Sequence, residues 1–226
     1  MPIYRRENGK LESVPGNYSI LDQNGYIPRE SIYPRVGYYN HNGNIDNFTD
    51  KIEVLNGTAV ENALLHRVDL STGLGTNTRA AYITKTQTAL SSDTIVVSYI
   101  VQNIGVGVAG QRFSYIGFCT DFSVAPFGGV KTICLMQDET GDWRTVSDDS
   151  IGFESKVFPA VSNGDRITII ANSSEILFYQ NNILINRHSK YITTDSLSIG
   201  ACVFIFGASS ATTDRTLSID FIGIEQ

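Results

Sequence analysis

Hydrophobic and polar residues alternate in short runs through most of the chain, and turn-forming residues separate the runs. From about residue 79 onward, the runs are rich in Val, Ile, Thr, Tyr and Phe, which favour strands. The run 94–102 is β-branched or aromatic at nearly every position, which predicts a strand buried on both faces. With no helical period between the runs, the pattern predicts an all-β, two-sheet antiparallel sandwich. The predicted strands are 79–87, 94–102, 112–120, 131–137, 166–171, 175–179, 183–187, 197–206 and 216–225.

The first 78 residues follow a different pattern. Residues 1–50 carry four of the six prolines and three Asn-Gly pairs, which predicts an irregular, extended N-terminal arm. Residues 51–78 read as a connector to the sandwich domain, 79–226. Within the connector, Thr58 and Glu61 have the spacing of a capping box, and Val60, Leu64 and Val68 recur at helical spacing. This stretch predicts one short helix.

Composition narrows the function classes. A chain of 226 residues is long enough to bury a core without disulfides or metals. The net charge is −6 and no Lys or Arg cluster forms a stripe, which argues against a nucleic-acid partner. No apolar window is long enough to predict a membrane span, and the polar start predicts no signal peptide. The odd set Cys119, Cys134 and Cys202 is best interpreted as buried free thiols of a protein made in the cytoplasm.

Two groups of residues are candidates for binding. The acidic turn of Asp138, Glu139 and Asp142 is interpreted first as a solvated turn, second as a Ca²⁺ site and last as a catalytic group. A platform for stacking sugar rings is the hypothesis for Trp143, Phe122 and Phe127, and the alternative, that these rings plug the edge of the sandwich, is favoured. No zinc-ligand spacing or nucleophile signature accompanies either group, so the sequence predicts no enzyme. The glycine-rich stretch 105–110 predicts a hairpin loop, because a strand follows it where a dinucleotide fold needs a helix.

The C-terminal two thirds resembles the concanavalin-like and laminin-G-like jelly rolls. The resemblance rests on Asn163–Ile170, on Ile176–Ile185 and on the closing run Leu217–Ile224. It implies a jelly-roll sandwich and little about function, because the same fold serves lectins, glucanases and adhesion modules. The family's hairpin usually has Gly where Asn182 stands, so Asn182 is expected to adopt left-handed backbone angles. The glucanase motif E-x-D-x-x-E has no match in the chain.

A second resemblance lies near the N-terminus and concerns bacteriophage proteins. The stretch Leu21–Pro28 is similar to a linker of phage tail-fibre and head-appendage proteins, with Ile32 at a later apolar position. The resemblance implies an arm that anchors to other virion proteins, a trimeric homo-oligomer, and a virion assembled in the bacterial cytoplasm. The residues it assigns to the arm are Leu21, Asp22, Asn24, Gly25, Ile27, Pro28 and Ile32.

The leading expectation is therefore a non-enzymatic phage appendage whose sandwich binds host-surface glycans. Two alternatives stay open: a carbohydrate-active enzyme or its carbohydrate-binding module, and a decoration protein of the capsid with no ligand. The enzyme alternative would depend on Asp138, Glu139 and Asp142.

Overall fold

The computed structural model describes residues 3–7, 10–14, 20–22, 25–27, 50–54, 56–62, 67–84, 87–91, 94–104, 112–123, 129–138, 140–205 and 214–225. Every regular element formed by these residues is a β-strand, and the strands make two large antiparallel sheets and two separate hairpins. The predicted all-β, two-sheet sandwich is therefore confirmed. Within the same ranges, no helix is long and apolar enough to cross a membrane.

Within the region predicted as an N-terminal arm, the structure describes two short hairpins, and the arm itself stays a prediction. Strand β1 (Ile3–Glu7) pairs with β2 (Lys10–Val14), and β3 (Ile20–Asp22) pairs with β4 (Gly25–Ile27). Only two residues separate the paired positions Glu7 and Lys10, a loop length for which Asn-Gly is strongly preferred. Of the predicted anchoring residues, Leu21, Asp22, Gly25 and Ile27 lie in the second hairpin, whereas Asn24, Pro28 and Ile32 lie outside the described residues.

The first large sheet has seven strands in the order β17-β16-β15-β10-β19-β7-β6. Its central strands are β-branched at most positions, and residues of alternate parity face the other sheet. Its strands are β6 (Thr58–Asn62), β7 (Arg67–Ser71), β10 (Ile95–Ile104), β15 (Arg166–Ala171), β16 (Ile176–Gln180), β17 (Ile183–His188) and β19 (Thr216–Glu225).

The second large sheet has the order β14-β13-β12-β11-β18-β8-β5, and the short β9 also pairs with β18. Three strands of the two sheets, β5 to β7, come from the predicted connector and its N-terminal boundary. The strands of this second sheet are β5 (Asp50–Val54), β8 (Arg79–Ile83), β9 (Thr88–Ala89), β11 (Arg112–Cys119), β12 (Thr132–Gln137), β13 (Trp143–Asp148), β14 (Phe153–Phe158) and β18 (Ser196–Ile205).

The predicted helix between Thr58 and Val68 is wrong, because the segment forms the hairpin of β6 and β7. Pairing with β19 gives β7 the alternating burial of a strand, with Val68 and Leu70 inside. Val60, which a helix would bury, is 54% exposed. Glu61, the acidic residue of the supposed capping box, instead accepts a hydrogen bond from the Tyr82 hydroxyl at 2.8 Å. Tertiary pairing therefore overrides the local helical period.

The inner faces of the two sheets pack against each other and form the main core. This inter-sheet core is mostly aliphatic, and the two sheets contribute to it in alternation with outward-facing residues. Tyr99 crosses the core, and its hydroxyl lies 3.4 Å from the carbonyl oxygens of Gly117 and Gly200 in the second sheet. The fully buried members of the inter-sheet core include Val68, Tyr82, Val97, Tyr99, Phe118, Ile133, Leu135, Ile167, Ile169, Phe178, Leu197 and Ile219.

A second apolar cluster covers the outer face of the eight-stranded sheet. Phe122 and Val130, from the connection between β11 and β12, complete this outer cluster, and the Phe122 ring stacks on Tyr115 at 5.3 Å between centroids. The three free cysteines are all in it. Its strand members are Ala81, Tyr115, Cys119, Cys134, Met136, Val146, Cys202 and Phe204.

The hairpin of β16 and β17 turns as the resemblance predicts. Gln180 pairs with Ile183, so Asn181 and Asn182 form a two-residue loop. Both have left-handed angles, with φ of 51° and 66°. Positive φ at both loop positions belongs to the type I′ turn, which matches the right-handed twist of the paired strands. Asn is the residue other than Gly that adopts these angles most readily.

Candidate functional site

The outer face of β13 and β14 carries an exposed strip of apolar side chains beside charged ones. Phe153 is 66% exposed and Val157 is 71% exposed. Their cross-strand partners on the same face are Asp148 and Arg144, respectively. Ser155 lies between Phe153 and Val157 along the strand, so polar and apolar groups alternate in both directions. We call Phe153, Val157, Asp148, Arg144 and Ser155 the exposed strip.

The turn that leads into the strip is built by two aspartates. The Asp148 carboxylate accepts a hydrogen bond from the Ser150 amide at 2.7 Å, and the Asp149 carboxylate accepts from the amides of Ile151 and Gly152. The bonds from Gly152 and Ile151 lower the pKa of Asp149. They also hold Ile151 at the tip of the turn, where it is 91% exposed. The turn therefore fixes the start of β14.

Tyr191 adds an aromatic ring beside this turn. A side chain at Gly152 would begin 2.3 Å from the Tyr191 ring, so the ring lies directly against the glycine backbone. Tyr191 has a φ of 53°, a left-handed conformation that is strained for a bulky residue. Its ring stays partly exposed while it packs against Gly152. Sequence analysis misses this group, although the alternation of Phe153, Ser155 and Val157 with charged residues was a signal for a half-exposed strand.

The predicted acidic turn is held by internal hydrogen bonds. Asp138 accepts from the amides of Thr140 and Asp142 and from the Thr140 hydroxyl, and it pairs with Arg144 at 3.4 Å. Partial burial raises the pKa of Asp138, but these hydrogen bonds outweigh burial and lower it. Glu139 lies outside the described residues, as does the glycine-rich stretch 105–110. Among described residues, no group of three or more His, Cys, Asp or Glu is placed to hold a metal ion.

The three aromatic residues proposed as a platform do not come together on a described surface. Trp143 is buried in the inter-sheet core, and Phe122 is buried in the outer cluster. These two rings therefore lie on opposite sides of the eight-stranded sheet. Phe127 lies outside the described residues. The exposed rings that the structure does describe near this sheet are Phe153 and Tyr191.

A buried histidine joins the two sheets where β13 and β17 approach each other. Ser147 donates to the carbonyl of Lys190 at 2.9 Å, so its oxygen accepts from His188 Nδ1 at 2.9 Å. His188 Nε2 then accepts from the Thr145 hydroxyl at 2.8 Å. Burial is the main cause that lowers the pKa of His188 to about 4, while the nearby Glu154 carboxylate acts in the opposite direction. The imidazole is therefore neutral at pH 7 and fully used in holding the sheets together.

Comparison with known proteins identifies the fold. The sequence matches no protein-family model, and the comparison with curated proteins gives no match. Among solved structures, the carbohydrate recognition domain of Emp47p aligns with a TM-score of 0.55 at 11% identity, covering 83% of this chain and 92% of that chain. Bacillus licheniformis beta-glucanase aligns with a TM-score of 0.56 at 11% identity, covering 83% and 96%. The endo-beta-1,4-glucuronan lyase of the fungus Trichoderma reesei aligns with a TM-score of 0.56 at 12% identity, covering 85% and 95%.

The chain therefore has a jelly-roll fold of the concanavalin-like kind, as the resemblance of its C-terminal part predicts. These three structures are a carbohydrate recognition domain, a beta-glucanase and a glucuronan lyase. Because the identity is only 11–12%, these similarities show the fold of this chain and not its activity.

The prediction that the chain is not an enzyme is wrong, because glucanases and a lyase share its fold. The prediction depended on the absence of short sequence motifs. On a sheet, side chains from strands that are distant in sequence meet on one face, so a reactive group needs no local motif. Nothing in these comparisons indicates a phage protein, and the virion role, the anchoring arm and the trimer stay predictions.

Proposed function

We propose that this protein binds a carbohydrate on the outer face of its eight-stranded sheet, with the exposed strip as the platform. The observation that carries the proposal is the pairing of exposed apolar side chains with charged neighbours on one face of β13 and β14. The fold supports it, since a carbohydrate-recognition domain and polysaccharide-cleaving enzymes have the same architecture.

The chemistry of the strip suits a sugar ring. A pyranose presents an apolar C–H face and a rim of hydroxyl groups, so it needs an aromatic face with hydrogen-bonding groups at its side. Phe153 supplies the face, and Asp148 on the neighbouring strand is an acceptor for hydroxyl groups. Phe153 and Val157 are four residues apart on one strand, a separation of about 13 Å. A chain of several sugar units fits this length better than a single sugar.

The strip is also held in place before a ligand arrives. Asp148 and Asp149 fix the turn before β14, and Tyr191 packs against Gly152 in that turn. On the other side of β14, Asn186 donates to the Val157 carbonyl at 2.8 Å. A platform whose backbone is fixed loses little entropy on binding, which favours affinity.

Replacing Phe153 by alanine tests the proposal. We expect at least a tenfold loss of affinity for the soluble polysaccharide that the wild-type protein binds best, measured by affinity electrophoresis over a panel of neutral and acidic polymers. Val60→Ala is the matched control, because Val60 is also exposed but lies on the other sheet. The proposal fails if the wild-type protein is retarded by no polymer, or if the two variants bind alike.

The same panel detects cleavage of the bound sugar through new reducing ends or unsaturated products. Asp148 is the carboxylate of the exposed strip, directly across from Phe153. Any cleavage at this face is therefore expected to fall in Asp148→Asn by more than binding does. Cleavage that Asp148→Asn leaves unchanged would assign the chemistry to another part of the chain.

A further inference from the structure

Arg79 lies at the opposite end of the outer face from the exposed strip. It begins β8 and is only 9% exposed. Phe204 is its cross-strand partner, and the Arg79 Cζ atom lies 5.7 Å from the centre of the Phe204 ring. Phe204 in turn stacks on Phe113 at 4.9 Å between centroids. Phe113 is only half-buried, so this row of a cation and two rings reaches solvent at its far end.

The Nε atom of the Arg79 guanidinium is buried and has no hydrogen-bond acceptor. Among the described carboxylates, none forms an ion pair with Arg79. Arg215 is the informative contrast, because it is buried even more deeply but donates from Nε to the Ser114 hydroxyl at 2.7 Å and from a terminal nitrogen to the Gln137 side chain. The fold therefore supplies acceptors to one buried arginine and withholds them from the other.

An unsatisfied donor of this kind destabilises the folded state. A buried N–H group without an acceptor costs free energy, and stacking of the guanidinium on one ring offsets only part of that cost. A hydrophobic side chain at position 79 would pack on Phe204 without the penalty. The position is therefore better explained by a ligand than by stability.

We propose that Arg79 is an anion subsite on the outer face and that the carbohydrate bound there is acidic. The identity of the ligand as a carbohydrate depends on the proposed function, whereas the anion subsite depends on Arg79 and its surroundings. A guanidinium binds a carboxylate or a sulfate ester through two parallel hydrogen bonds. The apolar face of the same sugar contacts the half-buried Phe113 ring.

The net charge of the chain shapes how such a ligand is recognised. At −6, the protein does not attract polyanions from a distance. Selectivity for an acidic sugar therefore has to arise from short-range contacts in a partly desolvated position, where salt screens charges weakly. We expect the preference for an acidic polymer to survive at an ionic strength that abolishes binding to surface charges.

Three polymers test the subsite: a polyglucuronate, a sulfated glucan and a neutral glucan of similar length. The full chain should bind at least one of the charged polymers ten times more tightly than the neutral one, and the better charged polymer identifies the anion. In Arg79→Gln, that preference should disappear while binding to the neutral glucan stays unchanged. Titration of the better charged polymer into ¹⁵N-labelled protein should shift the Arg79 Nε–H resonance.

Stability measurements separate a binding role from a structural one. Arg79→Met should leave the thermal midpoint unchanged or raise it, and it should lose the preference for acidic polymers. Arg215→Met is the matched control and should lower the midpoint, because it leaves Ser114 and Gln137 without their donor. An equal loss of stability in both variants would make Arg79 structural and overturn the subsite.

The binding outcomes also separate the two proposals. Equal affinity for charged and neutral polymers overturns the anion subsite and leaves the proposed function standing. Binding of none of the three polymers overturns both.

Discussion

The two faces of the eight-stranded sheet use their side chains in different ways. The inner face is mostly aliphatic and packs against the seven-stranded sheet, and the buried Arg215, which directly precedes β19, has neutral acceptors from β11 and β12. The outer face carries stacked aromatic rings, three thiols and Arg79, whose Nε lacks an acceptor. The inner face thus satisfies its buried arginine within the fold. The outer face also packs apolar side chains, but it leaves the Nε atom of Arg79 without an acceptor, a feature that suits a binding surface better than a core.

The largest expected difference between the faces is in stability. Phe118 is fully buried in the inter-sheet core, and Phe118→Ala should lower the free energy of unfolding by about 3–5 kcal/mol. Phe153→Ala, on the exposed strip, should change it by less than about 0.5 kcal/mol. Urea denaturation at constant pH measures both. Similar losses in the two variants would mean that the strip is part of the core and not a surface.

The pH dependence of stability tests whether His188 is buried between the sheets through its hydrogen bonds to Thr145 and Ser147. The pKa of His188 is about 4 in the folded protein, against 6.5 as its ordinary value. The unfolded chain therefore takes up this proton first as the pH falls from 6.5 to 4, and stability declines across that window by up to about 3 kcal/mol. The contribution is fully present above pH 6.5.

His188→Gln is the control for the pH titration, because glutamine cannot gain a proton in this range. Its free energy of unfolding, measured by urea denaturation from pH 7.5 to 4, should fall less steeply than that of the wild-type protein. Parallel curves would show that His188 has the same pKa in the folded and the unfolded protein, and therefore that its side chain is accessible to water in the folded protein.

The smallest expected signal comes from the thiols of the outer cluster. Burial raises the pKa of Cys119 and Cys134 and raises that of Cys202 to about 12, so none is a thiolate at pH 8. An aromatic disulfide reagent should label no cysteine within minutes in the native protein and all three in denaturant. Rapid labelling of one thiol would show that solvent reaches the outer cluster at that cysteine.

The sequence predicts the strands whose composition is uniform and the turns whose geometry is local. Nearly every described side chain of the apolar strands β10 and β18 is buried, and the predicted bounds of these strands differ from the observed ones by one or two residues. The left-handed turn at Asn181 and Asn182 follows from a local steric rule. These features depend on neighbours along the chain, which a sequence displays directly.

Features that depend on distant partners escape sequence analysis. Strand β14 alternates exposed and half-buried residues at a sheet edge, and its polar residues do not form the apolar run from which a strand is predicted. The partners of His188 are more than 40 residues away, and Phe204 is further still from Arg79. The candidate site is missed for the same reason: its residues come from separate strands that only the sheet order brings together. Exposure, which distinguishes Phe153 from Trp143, is likewise a property of the assembled fold.

The position of β19 has a consequence for how the protein folds. This strand follows all the other described strands of both sheets in sequence, yet it lies inside the seven-stranded sheet, between β10 and β7. Until it has been synthesised, the β6–β7 hairpin and the group formed by β10, β15, β16 and β17 remain two pieces with unpaired edges facing each other. Such edges are prone to pair with other chains, and contacts this distant in sequence form slowly. The nascent chain therefore stays exposed to aggregation until β19 closes the sheet.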